Sequence, residues 1–295
     1  MLAGALPAFL DAPEGERIEV IVLGASGGFP QSDESRISLD PVGDFDGSAR
    51  SAGRISLDAI IRAVELVTAG EADAVVTGPV HKPSLHAAGH LIPGQTEFLQ
   101  ELTGVRTVGM LMHAEGTRVG TAPLRILLAT THLPLREVPD RLTGGLLLDQ
   151  IRLLDRTLRE RWEITRPRIG LCGLNPHASD GGLFGDEEAA TMEPVVRQLQ
   201  GEGLDVVGPL PADTIFLRAV DGELDAVVSP YHDVGMAVFK TLAFGGGVNT
   251  TLGLPFPRTS PDHGTAFDLV GKGLADPGST LEALRLAARL ARPRL

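Results

Sequence analysis

The sequence predicts an α/β protein, a parallel or mixed sheet flanked by helices. Short apolar runs rich in Val, Ile and Ala recur along the chain, and stretches of helical spacing separate them. Those runs carry little polar alternation, as strands buried on both faces must. No internal repeat, low-complexity tract or long linker interrupts the pattern.

Composition frames this reading. The 295 residues suffice for one large or two medium α/β domains. Hydrophobic content of 43% and charged content of 22% are ordinary for a soluble globular chain. A formal net charge of -12 argues against nucleic-acid and anionic-membrane partners, which would be repelled outside a local basic patch. The single cysteine, Cys172, excludes an internal disulfide and fits a reducing compartment. No charged-then-apolar leader and no apolar run of about eighteen residues occurs, so the expected location is the cytoplasm.

Taken in order, residues 1–11 read as a short helix and 18–23 (IEVIVL) as a strand. The glycine-rich residues 24–28 that follow lack the G-x-G-x-x-G spacing and lead into no helical pattern, so they read as an ordinary strand exit. Residues 31–53, rich in Asp, Ser and Gly, read as an irregular connection. Ile, Leu and Val at helical spacing make 57–67 a helix that Gly70 closes. Residues 74–77 are a buried parallel strand, broken by Gly78-Pro79, with His81 and Lys82 at its exit.

A helix starts within residues 93–97. Thr96 reads as its N-cap, and the free amides beneath suit an anion; a plain cap is the alternative. Strands at 107–112 and 126–129 follow, the second running into Thr130-Thr131-His132. An amphipathic helix spans 143–161, and a strand at 169–172 exits into the turn carrying Asn175 and His177. Residues 187–199 read as a helix, and 208–214 as a rigid turn capping another. The strand at 226–228 ends beside His232 and Asp233.

Ligands of open α/β sheets bind outside the carboxyl ends of strands. Residues 226–273 crowd that region with His232, Asp233, Lys240, Asn249, Arg258 and the run Asp262-His263-Gly264-Thr265, which suits an anionic small molecule. Of the eight histidines, His132, His177 and His232 each lie just past a strand. Three imidazoles with a fourth position open are the donor set of a catalytic divalent metal; three unrelated loop histidines are the alternative. His86, His90 and His113 have no such setting.

Residues 262–266 (DHGTA) and 271–277 (GKGLADP) resemble the adenosine-binding loop of the isocitrate and isopropylmalate dehydrogenase superfamily, which binds NAD without a Rossmann fingerprint. Together with TGPVHK, PGQTEF, THLPL, LNPHASDGG, GPLPADT, YHD and GGGVNTTLGLPFPRTSPDHGTA, they make the chain resemble the 4-hydroxythreonine-4-phosphate dehydrogenase family from about residue 51 onward. The resemblance implies a two-lobed isocitrate/isopropylmalate dehydrogenase-like fold with its active site in the inter-lobe cleft. Residues 1–130 and 255–295 would form the cofactor-side lobe, and 131–254 the metal- and dimer-forming lobe.

It further implies a homodimer whose subunits share a divalent metal (Zn, Mg or Co) held by His132, His177 and His232. NAD or NADP would lie at Asp262, His263, Gly264 and Thr265. Gln95, Thr96, Asp213, Lys240, Asn249 and Arg258 would hold a small phosphorylated hydroxy acid, with Lys240 and Asp213 as the catalytic pair. The implied reaction oxidises 4-phosphooxy-L-threonine at C3 and decarboxylates it to 3-amino-2-oxopropyl phosphate, in pyridoxal phosphate biosynthesis. The alternatives are a dehydrogenase of a 4-phosphosugar acid such as 4-phosphoerythronate, and a non-catalytic or acyl-phosphate-binding relative on the same fold.

The chain departs from the family in two places. The family opens with a strand running into a G-D-P-A-G-I-G-P-E loop, whereas the first strand here, IEVIVL, resembles the family's second. A late start codon, a truncation or a degenerate paralogue each account for that. Gln95 stands where the family often has His, and a glutamine can hydrogen-bond an anion but carries no charge.

Overall fold

The structure, a computed structural model, describes residues 1–29, 34–92 and 94–291. Its elements run α1 (Leu2–Leu10), β1 (Val20–Ala25), β2 (Ile37–Gly43), α2 (Ala49–Thr68), β3 (Val75–Val76), α3 (Lys82–Ala87), α4 (Gln95–Thr103), β4 (Gly109–Ala114), β5 (Leu124–Leu128), α5 (Val138–Arg141) and α6 (Gly144–Arg161). They continue with β6 (Arg168–Cys172), α7 (Glu193–Gly201), β7 (Asp205–Leu210), α8 (Ala212–Val220), β8 (Ala226–Ser229), α9 (His232–Ala243), β9 (Val248–Leu252), β10 (Arg258–Pro261) and α10 (Gly278–Leu290). The chain forms two compact units, one of Met1–Arg106 with Leu254–Leu295, the other Thr107–Gly253. This division falls at 106 and 253, where the sequence predicts it at 130 and 254; β4 and β5 are hydrogen-bonded as an antiparallel pair and β5 pairs in parallel with β8.

The second unit carries a sheet ordered β9-β4-β5-β8-β6-β7. Strands β5, β8, β6 and β7 are parallel, while β4 runs antiparallel to both β5 and β9, so this sheet is mixed. Successive side chains of a strand point to opposite faces, and both faces here are apolar. In β8, Ala226 and Val228 join one core with α6 and α7, while Val227 joins the other with α8 and α9. The sequence signature of uninterrupted apolar runs has that cause.

Helix α6 begins where the Thr143 side chain accepts a hydrogen bond from the Leu146 amide at 3.2 Å. Leu147, Ile151, Leu154 and Leu158 recur on one face and are fully buried. Each such side chain contributes about 1.5–3 kcal/mol by leaving water. Among the described residues, no helix is long and apolar enough to cross a membrane.

In the first unit, β1 pairs in parallel with β2, and β10 in parallel with β3. Helices α1 and α10 bury Leu6, Phe9, Leu10 and Leu284 in one core, against which Val20, Val22 and Val76 pack. Several expectations are corrected here. Residues 34–53 are not irregular: they hold β2 and the start of α2, and the remainder of that expected connection, 31–33, lies outside the described residues. Asp40 and Pro41 mask the strand pattern, and Pro41 is tolerated because a strand paired on one side needs fewer amides. Helix α2 starts early because the Ser48 hydroxyl accepts from the Ser51 amide at 3.1 Å. Gly53 sits inside it, where a Cβ would stand 2.0 Å from the Ser84 carbonyl oxygen; helices α2 and α3 approach too closely for a side chain.

Three smaller differences bear on function. Thr96 is not the N-cap of α4; Gly94 is, and Thr96 lies within the first turn. Pro93 is outside the described residues. Residues 208–210 are the end of β7 rather than a turn, since Leu210 pairs with Cys172 and accepts from the Gly173 amide at 2.8 Å. The helix expected over 187–199 opens with a wide turn, Glu188–Met192, ahead of α7, with Pro194 in the first turn of α7.

Candidate functional site

Strands β5 and β8 are neighbours in register, Leu128 opposite Ser229. Their exits are tied together: the Ala129 amide donates to the Ser229 carbonyl at 2.9 Å, and the buried Thr130 hydroxyl to the Pro230 carbonyl at 2.6 Å. This brings His132 and His232 together, ring centroids 5.6 Å apart and planes tilted by 46°. His232 is the first residue of α9, and its Nδ1 lies 2.7 Å from Asp233 Oδ1. The Tyr231 hydroxyl donates to the other Asp233 oxygen at 3.2 Å. The hydrogen bond from His232, then that from Tyr231, holds the Asp233 carboxyl below the usual carboxylate range. An ionised Asp233 keeps the proton of a neutral His232 on Nδ1 and leaves the Nε2 lone pair for a ligand.

His177 follows β6, the other neighbour of β8, on an unusual turn. His177, Ala178, Ser179 and Asp180 all have positive φ, between 47° and 66°, and Gly181 and Gly182 continue the run at 68° and 96°. Each non-glycine residue held there costs on the order of 1–2 kcal/mol, so its surroundings must over-determine it. They do so through Glu188, which is 2% exposed. One carboxylate oxygen accepts from the Leu174 amide at 2.9 Å and the Asn175 amide at 2.7 Å. The other accepts from the Asn175 side chain at 2.9 Å and from the Ser179 hydroxyl. Burial pushes the Glu188 carboxyl up, and the hydrogen bonds from Asn175 and Ser179 outweigh it, leaving it below its ordinary value.

Within one chain, then, two of the three expected metal histidines stand together. The ring contact of His177 is to Phe184, centroids 6.5 Å apart. Among the described residues no group of three or more His, Cys, Asp or Glu side chains is placed to hold one ion. The His132–His232 pair, with one imidazole oriented through its Nδ1, has the donor chemistry of part of a divalent-metal set; a tetrahedral site needs further donors.

The other expected residues of this unit lie on nearby elements. Asp213 is in the first turn of α8, exposed, and Lys240 is half-buried in the last turn of α9. Asn249 is on β9, and its Oδ1 is buried with no hydrogen-bond partner among the described residues. An acceptor left so costs on the order of 1–3 kcal/mol and calls for an explanation, such as a donor supplied by a ligand.

In the first unit, Arg258 opens β10 and is 2% exposed. Its guanidinium donates to Thr77 Oγ1 at 2.6 Å and to Gln95 Oε1 at 2.7 Å. Gln95 in turn donates to the Gly78 carbonyl at 2.9 Å, so its amide is oriented at both ends. Burial pushes Arg258 down to about 10, with the charge of Glu97 opposing, which leaves it cationic at neutral pH. A buried guanidinium beside a hydroxyl and an amide is a side-chain type that recognises phosphate and carboxylate. Thr96 is half-buried beside Gln95 in the first turn of α4, where free amides also favour negative charge.

The segment Asp262-His263-Gly264-Thr265 follows β10. Ser279 Oγ accepts from the Asp262 amide at 2.9 Å and donates to Asp262 Oδ1 at 3.1 Å. His263 Nδ1 lies 2.9 Å from the Gly264 carbonyl and must donate to it; Nε2 of the neutral ring then accepts from the Thr280 hydroxyl at 3.1 Å. Gly264 is exposed and Thr265 half-buried. Beyond them Phe267, Val270 and Leu274 are 60%, 73% and 71% exposed, with the Phe267 ring edge-on to His81, centroids 5.0 Å apart. Sequence reasoning missed Glu188, Thr77, Ser279 and Thr280 as partners. Glu188 gives no signal, because an acidic run at the start of a helix reads as a solvated face.

A family model described as "Pyridoxal phosphate biosynthetic protein PdxA" matches residues 25–287. The chain is 49% identical over 239 residues to a 4-hydroxythreonine-4-phosphate dehydrogenase of Ruegeria sp. (strain TM1040), covering 81% of this chain and 71% of that protein. It superposes on a crystal structure of 4-hydroxythreonine-4-phosphate dehydrogenase from Klebsiella pneumoniae with a TM-score of 0.77 at 36% identity, covering 97% of this chain and 87% of that one. It also resembles a terephthalate 1,2-cis-dihydrodioldehydrogenase from Burkholderia xenovorans LB400, with a TM-score of 0.62 at 29% identity over 92% of this chain and 83% of that one.

Proposed function

The chain belongs to the pyridoxal phosphate biosynthetic protein PdxA family, and from that premise we propose that it is a cytoplasmic, homodimeric 4-hydroxythreonine-4-phosphate dehydrogenase dependent on NAD or NADP and a divalent metal. The observation that carries the reading is the His132–His232 pair, centroids 5.6 Å apart, with His232 oriented by Asp233. His177 of a second copy completes the donor set. A divalent metal held there, Zn, Mg or Co, supplies a Lewis acid for the C3 hydroxyl oxygen of the substrate.

The chain's own groups do the rest. Arg258 neutralises the substrate phosphate, with Thr96 and Gln95 beside it. Asn249 accepts a hydrogen bond from the substrate through its unpartnered Oδ1. Lys240 in its neutral amine form would take the proton of the C3 hydroxyl, and Asp213 would accept it onward or hold the lysine in place. Asp262, His263, Gly264 and Thr265 would hold the nicotinamide cofactor, which would supply a hydride acceptor for C3. The resulting β-keto acid loses carbon dioxide to give 3-amino-2-oxopropyl phosphate.

Reduction of NAD and of NADP, followed by absorbance with a panel of phosphorylated hydroxy acids, tests this. Turnover of 4-phosphooxy-L-threonine should require added divalent metal and stop with a chelator. Absence of turnover by the metal-loaded dimer would overturn the reading. One observation favours a second substrate: Gln95, a neutral amide already engaged by Arg258 and Gly78, lies where the family often has His. Faster turnover of 4-phosphoerythronate in the same assay would select that reading.

A further inference from the structure

We infer that Glu188 is a positioning residue, the group that sets where His177 presents its imidazole. This rests on the reading of His177 as a metal ligand. Four successive non-glycine residues, His177 to Asp180, hold left-handed backbone conformations that L residues avoid. Backbone hydrogen bonds close parts of this run, the Ala178 amide to the Asn175 carbonyl at 3.1 Å and the Gly182 amide to the Ser179 carbonyl at 3.0 Å, and Glu187 also accepts from the Asn175 side chain at 2.7 Å. One buried carboxylate spans the stem and the turn, and a carboxylate offers about four lone-pair sites. All four are used by the turn and its stem: the Leu174 amide, the Asn175 amide, the Asn175 side chain and the Ser179 hydroxyl.

The turn closes tightly on its own stem. A Cβ at Gly173 would stand 3.0 Å from the Ala178 Cβ and 3.4 Å from Glu188 Oε1. His177 is exposed, and its ring neighbour, Phe184, is 6.5 Å away between centroids. The imidazole therefore stands where the backbone puts it, and the Glu188 carboxylate holds that backbone. Glu188 reaches the turn from the wide turn Glu188–Met192, outside the strand-exit segment it fixes. Replacing one of its oxygens by an amide nitrogen turns an acceptor into a donor facing the Asn175 side chain and the Ser179 hydroxyl. The turn then loses contacts that offset its backbone strain.

The test is a cobalt(II) titration of the full-length protein, followed by visible absorption, on wild type, His177→Ala, Glu188→Gln and Ser179→Ala. If Glu188 positions His177, folded Glu188→Gln should bind cobalt about 10-fold or more weakly, with an altered ligand-field band. Its kcat should fall more than its KM for the phosphorylated substrate changes. Ser179→Ala, which removes one of the four donors, should shift affinity the same way by less. Loss of cobalt affinity in His177→Ala with wild-type affinity and spectrum in folded Glu188→Gln overturns the positioning role and leaves His177 a ligand. Wild-type affinity in His177→Ala overturns both. A Glu188→Gln variant that melts lower yet binds and absorbs as wild type makes the residue structural only, which also overturns the inference. Should Glu188→Gln not fold, Ser179→Ala decides, and unchanged affinity and spectrum there overturn it.

Discussion

The loop carrying His177 and the loop carrying His263 treat their surroundings in opposite ways. Residues 177–182 are bent into left-handed geometry, and the turn with its stem at Leu174 and Asn175 is bound at both oxygens of Glu188. Residues 262–274 keep two anchors at their start, Asp262 with Ser279 and His263 with Thr280, and then leave Phe267, Val270 and Leu274 largely in water. A metal donor has to stand in place before its ion arrives, because coordination tolerates little displacement. A loop that covers a planar cofactor can present apolar surface and order against its ligand. The first region is pre-set by its own polar contacts; under the proposed function the second would order against the cofactor.

Removing a proposed metal donor should have the largest effect. His232→Ala is expected to lose bound metal and more than about 100-fold of kcat, since even indirect ligand partners affect metal sites by 10–100-fold. Metal analysis and a rate at saturating substrate check this, and retention of both would remove His232 from the set. Arg258→Ala serves as a calibration outside both loops. Losing a charged hydrogen bond worth about 2 kcal/mol should raise KM for the phosphorylated substrate about 30-fold and leave KM for NAD unchanged. An equal rise in both would place Arg258 elsewhere.

Phe267→Ala probes the open loop. It should raise KM for NAD about tenfold, matching roughly 1.4 kcal/mol of apolar contact, with metal content and melting temperature unchanged. A drop in melting temperature without a KM effect would show the loop to be packed in the free protein. A paired glycine test separates the loops more finely. Gly181 has φ +68°, whereas Gly264 has no such constraint, and a Cβ at either meets nothing within 4 Å. Gly181→Ala should therefore destabilise by about 1 kcal/mol, and Gly264→Ala by nothing measurable, in denaturant titrations.

The smallest expected effect is a pH dependence. Glu188 lies below its ordinary value of 4.5 in the folded chain. Its ionised form thus stabilises the fold above that value, and the contribution fades as pH falls through the lower, folded value. The melting-temperature difference between wild type and Glu188→Gln should be full at pH 7 and shrink below pH 4.5. A constant difference down to acid pH would show that the carboxylate charge contributes nothing to the turn.

Much of this was legible in the amino-acid order. The strands of the second unit announce themselves because both their faces are apolar. Helix α6 is legible from the spacing of Leu147, Ile151, Leu154 and Leu158 and from the cap at Thr143. Strand β2 is not, because Asp40 and Pro41 break the alternation that would reveal it. The N-terminal half of α2 is hidden for another reason: Gly53 reads as a breaker, yet it is there to let α3 approach. The candidate residues at strand exits were legible as types, but their partnerships were not.

By itself the sequence determined which chemistry is present and on which kind of element: imidazoles past strands, an arginine and an amide suited to an anion, glycines at an exposed loop. Local propensity and hydrophobic period settle such matters within a few residues. Only the tertiary structure decided who meets whom. Strand β8 inserts between β5 and β6, so the Thr130 hydroxyl finds the Pro230 carbonyl 100 positions away and His132 meets His232. Arg258 finds Thr77 across 181 positions, and Glu188 turns inward to hold a left-handed turn that no local preference favours. Contacts of that separation follow from sheet order and burial, which the whole core settles together.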